Sequence, residues 1–363
     1  MLATMNNPHP PHESLGPSSS DAPPLADNSH QNTPVPVLGA PRRDESSVTA
    51  SVVGPPLSQQ HLRPAKPPRV WLPVLLLLAT CLSTFWAGAM SWEPLLKFSQ
   101  SQWQFDVGIR IRQEILRYAG QGVTYMVSVI AILFTHEMGH YVATRIYRIP
   151  ASLPYFIPFP FAPFGTMGAV IGMQGHRANR REIFDIGLAG PLVGLVVAVP
   201  ILWIGISRLD LTQPVHGAFR FELPLLAQWI YAYLHPGQPA VREMSASQFN
   251  ALSMAGWVGL LITGLNMLPV SQLDGGHIIY TLFGRWSRWI ARSFVLVAVV
   301  YMAWTRVLIW ALMLIIVLVI GIDHPRTADD TVKLGWLRTL MGLVSLLIPV
   351  LCFPPRGLML VGP

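Results

Sequence analysis

Apolar residues in this chain come in long blocks, not in the alternations or 3.6-residue stripes of a water-soluble domain. Blocks over residues 70–90, 123–146, 183–206 and 249–268 are each about 20 residues long, enough to cross a hydrocarbon core roughly 30 Å thick. Residues 289–322 are also nearly all apolar. As one helix that run would be about 51 Å long, so two short spans turning near Thr305 and Arg306 fit better. A last block covers 337–353. The pattern predicts an all-α polytopic membrane protein with about seven transmembrane helices. The apolar stretch 223–234, about 12 residues, is too short to span and reads as an interfacial helix. Residues 91–120 and 207–248 read as polar connections. No internal repeat is visible.

Residues 1–69 are rich in Pro, Ser, Asn and His and nearly devoid of aromatics. Such a segment cannot bury enough apolar surface to offset its ordering entropy, which predicts a disordered tail. The first strongly apolar run begins only at Val70, so no cleavable signal is expected. The membrane-embedded domain is then residues 70–353, with its core at about 120–285, and 354–363 form a short C-terminal tail.

Composition agrees. The 363 residues are 52% hydrophobic and only 12% charged, about half the charge of a soluble domain. The net charge of +7 does not signal nucleic acid, because Lys and Arg sit beside the apolar blocks as loop charges do. Arg63, Lys66 and Arg69 precede the first span, while Arg145 and Arg148 follow the second. The N-terminus is therefore expected inside and the second span runs outward to inward. Cys81 and Cys352 lie singly in apolar segments and make neither a disulfide framework nor a metal site.

Three segments break the pattern. Residues 150–175 carry prolines that forbid an ordinary spanning helix. Glycines and the run Ala169, Val170, Ile171 suggest a re-entrant or interfacial loop with a short strand or hairpin. Residues 187–194, GLAGPLVG, form a small-residue face suited to close helix packing. Third, residues 131–143 read AILFTHEMGHYVA, with His136, Glu137 and His140 inside an apolar helix where ionisable groups are costly. Histidines at i and i+4 share one helix face. That arrangement offers two imidazoles to one zinc ion, with the glutamate beside them to act on water.

Such a zinc needs a third protein ligand. Asp274, in a turn-forming LDGG setting after Pro269, is the candidate. Counting spans brings it to the same membrane side as His136 and His140, provided residues 223–234 do not cross.

The chain here resembles the site-2 proteases, zinc metalloproteases that cut peptide bonds within or near the membrane. Their signature is HExxH on one transmembrane helix and Asn-x-x-Pro-x-x-x-Leu-Asp-Gly on a later one. This chain has HEMGH at 136–140 and Asn266, Pro269, Leu273, Asp274 and Gly275 in the matching places. The FGTMGAVIGM stretch looks like the family's glycine-containing loop, and LAGPLVG like its small-residue helix. The connection 207–248 is too short for the PDZ domain that some members carry. The resemblance implies one zinc ion on His136, His140 and Asp274, with Glu137 as general base and acid. Asn266 would donate to an oxyanion or merely close a helix end. Gly168, Ala169, Val170 and Ile171 would hold an unwound substrate strand by β-augmentation. The expected partners are a transmembrane protein substrate and the lipid bilayer, and the oligomeric state is open. The expected location is a cell membrane, the inner membrane of a bacterium, with the site toward the cytoplasm.

Two rival readings stand beside it. Intramembrane His and Asp also line ion pathways in metal transporters and channels, although these do not need Glu137. An inactive scaffold that binds membrane helices is the other. His277 reads as a site-edge hydrogen-bonding residue, and His324 as an interfacial or capping one.

Overall fold

The computed structural model describes residues 70–94, 107–212, 215, 217–270 and 272–360. The tail expected over residues 1–69 lies outside the described residues. Helix α1 (Trp71–Ala89) carries Pro73 in its first turn, where a missing N–H costs nothing. Helix α2 (Val107–Ile146) is longer than the apolar block suggested, since residues 107–120, expected in a polar connection, are also helical. Its axis breaks at Tyr118 (φ −111°, ψ 15°). Charged residues such as Arg112, Glu114 and Arg117 interrupt apolarity there, but Arg and Glu are good helix formers.

After α2 the prolines force extended backbone. Strands β1 (Tyr155–Pro158) and β2 (Thr166–Val170) pair antiparallel, with Phe156 opposite Ala169 and Tyr155 opposite Val170. Helix α3 (Arg180–Ser207) then starts sharply. The Asn179 side chain accepts from the Arg181 and Glu182 amides, while Glu182 accepts from the Asn179 amide at 2.8 Å, a reciprocal capping box.

Residues 208–250 contain β3 (Phe219–Glu222), the ten-residue α4 (Leu225–Leu234) and β4 (Glu243–Ser245). At about 15 Å, α4 is too short to cross a bilayer. Helix α5 (Ala251–Asn266) follows, then α6 (Asp274–Phe283), α7 (Ser287–Thr305), α8 (Ala311–Ile320), α9 (Trp336–Ser345) and α10 (Leu347–Cys352). Strand β5 (Leu358–Leu360), expected in a short C-terminal tail, pairs with β3 to give a sheet of order β4-β3-β5.

Among the described residues, four helical stretches are long and apolar enough to cross a membrane: Trp71–Ala89, Ile111–Ile146, Arg180–Ser207 and Asp274–Thr305. The protein is therefore an all-α polytopic membrane protein carrying two small sheets. Helix α7 ends where the long apolar run was expected to turn, with Arg306 left-handed at φ 56°. Outward residues such as Val196 (72% exposed) and Trp304 (86%) are the apolar surface a bilayer covers.

Helix α5 is the buried centre. It is apolar on all sides, as a helix surrounded by protein must be. A Cβ on Gly256 would strike Leu202 of α3, and one on Gly259 would meet Ile132 of α2 and Ala198 of α3 at 3.0–3.1 Å. Glycine thus lets three backbones approach closely. Trp257, Leu260, Leu202, Tyr125 and Phe221 fill the space around them and are fully buried.

On the opposite flank of α3, Arg338 of α9 makes a bidentate pair with Asp185, both bonds 2.9 Å, and Tyr147 donates to the same carboxylate. Arg338→Ala should lower stability by about 1 kcal/mol, the usual value of a partly exposed pair. In detergent the midpoint of thermal unfolding should fall by roughly 2–4 °C, whereas Arg338→Lys should recover part of the loss.

Candidate metal centre

His136 and His140 occupy successive turns of α2, and 3.6 residues per turn sets both on the face toward α3. Asp274 arrives from elsewhere. Pro269 lies just past the end of α5, the chain turns, and Asp274 opens α6. Sequence reasoning placed Asp274 in an open turn, but it is the first residue of a helix, where the macrodipole favours a carboxylate. Gly275 makes this sharp entry feasible, because a Cβ there would strike the Met267 carbonyl.

The three side chains converge. Nε2 of His136 is 3.3 Å from Asp274 Oδ2, and Nε2 of His140 is 3.3 Å from Oδ1. The two Nε2 atoms are 3.3 Å apart, and one ligand atom from each residue lies within 4.8 Å of the others. His140 Nδ1 donates to the Ile186 carbonyl of α3 at 2.8 Å. A carbonyl only accepts, so the proton is on Nδ1 and a neutral His140 turns its Nε2 lone pair toward the cluster. Asp274 Oδ2 is buried and receives no hydrogen bond. The His140 lone pair and the Asp274 carboxylate thus face each other with no proton to share. Buried polar atoms left this way are costly, and a cation at their centre resolves the conflict. Two imidazoles and one carboxylate are a donor set suited to zinc, with a fourth position left over.

Glu137 is buried at 3% exposure and opens onto the same cavity, about 130 Å³, as His140, Asn266, Asp274, Ala169, Val170 and Ile171. The Asn266 amide Nδ2 lies 3.3 Å from His136 Nε2. Gly168 does not line that cavity. Its φ of +101° is a conformation glycine adopts without strain, and its amide donates to Thr166 Oγ1 at 3.0 Å, so it shapes β2 from within.

Several contributors were missed from sequence. Gly187, Gly190 and Gly194 were read as a general packing face, yet they back the site itself. A Cβ on Gly190 would run into the His140 imidazole, and one on Gly194 would lie 3.0 Å from His136 Nδ1. Their i, i+3, i+7 spacing, one helix face opposite HExxH, was the available signal. His277 lines the cavity and meets His324 of the 323–335 segment through Nδ1 and Nε2. His324 Nδ1 faces the Pro325 carbonyl and must donate to it. Burial lowers the His324 pKa, so it stays neutral near pH 7, and His277 Nδ1 is then the donor between the rings.

The sequence model of Peptidase family M50 matches residues 124–312, just over half of the chain and including His136, Glu137, His140 and Asp274. The chain belongs to Peptidase family M50. The chain is similar to the "probable zinc metalloprotease EGY1, chloroplastic" of Arabidopsis thaliana, 29% identical over 62% of this chain and 42% of that protein. The rice (Oryza sativa subsp. japonica) protein of the same name is 30% identical over 48% of this chain and 30% of its own length. The "probable zinc metalloprotease EGY2, chloroplastic" of Arabidopsis is 32% identical over 42% and 27%. The chain thus spans less than half the length of these relatives. No solved structure matches it.

Gly190→Ala should drive the His140 ring out of place. Zinc affinity, read by atomic spectrometry of the purified protein after dialysis against graded zinc concentrations, should fall by roughly 10–100-fold. Gly120→Ala, which meets no atom within 4 Å, should bind metal as the wild type does.

Proposed function

We propose that this chain is an intramembrane zinc metalloprotease that hydrolyses a peptide bond within or near a transmembrane segment of a membrane protein. The observation that carries the proposal is the completion of HExxH by Asp274, around a cavity that Glu137 enters. His136, His140 and Asp274 would hold one zinc ion. When bound, zinc polarises a carbonyl and lowers the pKa of water to about 7.

The protein's own groups then divide the work. Glu137 takes a proton from the attacking water and passes it to the leaving amine nitrogen, as one positioned acid–base group can in both halves of the reaction. The Asn266 amide, which opens on the same cavity, would donate to the oxygen that gains charge. Strand β2 presents Ala169 and Val170, with Ile171 just beyond, at the cavity. An extended substrate segment paired beside them would be held by main-chain bonds. Because the peptide bond of a helix is shielded, the substrate helix must unwind locally first.

The topology we infer adds three shorter helical stretches, Ala251–Asn266, Leu308–Val319 and Trp336–Cys352, to the four long ones, giving seven spans over residues 70–353. Leu308–Val319 is as short as residues 223–234, but β5 pairs with β3, so an even number of crossings lies between them, and counting the first stretch without the second meets that. Arg145, Arg148, Arg177 and Arg181 cluster near the end of α2, which supports a cytoplasmic site in a cell membrane such as the bacterial inner membrane.

Purified wild type and Glu137→Ala should both bind one zinc, while the variant loses roughly 10²–10⁴-fold in cleavage of a single-span substrate. Undiminished cleavage, or zinc-dependent ion flux into liposomes that Glu137→Ala leaves intact, would reject the protease in favour of a transporter. Replacing one residue near the cut in the substrate helix by Gly should speed cleavage about fivefold, matching its ~1 kcal/mol helix penalty. The gain should be visible in initial rates.

A further inference from the structure

Beyond the metal centre, the structure has a second polar cavity. It measures about 540 Å³ and lies where α6, the start of α7 and the 323–330 segment meet. Arg180, Arg285, Arg288 and Arg326 line it, against only Asp323 and Asp330. Those two carboxylates are already engaged. Asp323 pairs with Arg292 at 2.7 Å, and Asp330 accepts from Tyr280 at 2.8–2.9 Å and from Thr327. Arg180 is spent on the Thr281 and Leu282 carbonyls. Among the described residues, Arg285, Arg288 and Arg326 have no hydrogen-bond or ion-pair partner, and all three are exposed.

Two further observations point the same way. Ser287 also lines the cavity and is only 5% exposed, yet its hydroxyl has no partner. It is the first residue of the 19-residue α7, and its own amide is taken by the Gly284 carbonyl, so the hydroxyl is the polar group it has left for a ligand. Trp286 and Trp289, each 62% exposed, flank it as aromatics do at a membrane interface. From Arg288 the i→i+4 ridge of α7 passes Arg292 and reaches Leu296 and Val300. These line an apolar groove with Trp304. Eight residues of helix separate Arg288 from Leu296, about 12 Å, a distance an acyl chain covers easily.

We propose that this cavity binds the phosphate of an anionic phospholipid. The headgroup is held by Arg285, Arg288 and Arg326 at the start of α7, and an acyl chain lies in the groove along the same helix. The charge selects an anionic lipid over a zwitterionic one. The groove selects a lipid over free phosphate. Because His324 and Tyr280 form the cavity wall on the side of α6, a bound lipid also braces the helix that begins with Asp274.

The full chain in detergent, given equal amounts of phosphatidylglycerol and phosphatidylcholine, can be read by native mass spectrometry. Wild type should retain phosphatidylglycerol preferentially. Arg288→Gln with Arg326→Gln should cut that preference roughly tenfold or more, since each arginine contributes a few-fold. Arg288→Lys with Arg326→Lys, which keeps the charge, should retain most of it and shows that the altered surface still folds. Equal retention of both lipids by wild type, or an unchanged preference in the double Gln variant, overturns the proposal. So does displacement of phosphatidylglycerol by millimolar inorganic phosphate, which would identify a soluble phosphate as the ligand. Zinc content and Glu137-dependent cleavage are read separately, so failure here leaves the protease reading untouched.

Discussion

A single hydrogen bond between two membrane helices fixes the chemistry of this protein. His140 Nδ1 donates to the Ile186 carbonyl, and by holding that proton away from the cluster it leaves Nε2 free to act as a ligand. Such a bond demands that an imidazole fit between α2 and α3, whose backbones would otherwise be separated by side chains on both. Gly190 removes the side chain facing the ring, and Gly139 does the same in reverse, since its Cβ would lie 2.7 Å from the Ala189 carbonyl oxygen. Close approach and ligand geometry are therefore one constraint.

The rest of the fold serves that approach. The α2–α3 pair is backed by α5, whose glycines let it lie against both, and α5 ends at Asn266 so that the chain can turn and deliver Asp274. The capping box at Asn179 and the Asp185–Arg338 pair fix where α3 starts and how it is held. A site assembled this way is rigid because it is built on helices. The β1–β2 sheet is the exception. It brings irregular backbone to the cavity wall, where such backbone is tolerated against protein or a water-filled space.

Much of the site was legible in sequence because its signals are local. The i, i+4 pair of histidines states its own geometry once a helix is granted, and the apolar block around it grants the helix. Asp274 was reachable only through span counting and family resemblance, since LDGG by itself is an ordinary turn. The extent of α2 was misjudged because hydropathy records where a helix meets lipid, whereas Arg and Glu continue a helix beyond it. The β5 strand was invisible for a related reason: three residues carry no periodicity, and their partner, β3, lies more than a hundred positions away.

The sequence by itself determined that this is a polytopic membrane protein, that α2 carries half of a metal centre, and that an aspartate beyond α5 is able to complete it. Composition, block length and helical periodicity are properties of contiguous residues. Only the tertiary structure decided which carbonyl orients His140, that the Gly187–Gly190–Gly194 face backs the histidines, and that His277 meets His324. Each of these pairs residues tens of positions apart, and their contact depends on a helix separation of a few ångström. No local pattern encodes such a distance, because it is set by how all the packed side chains fill the space between the helices.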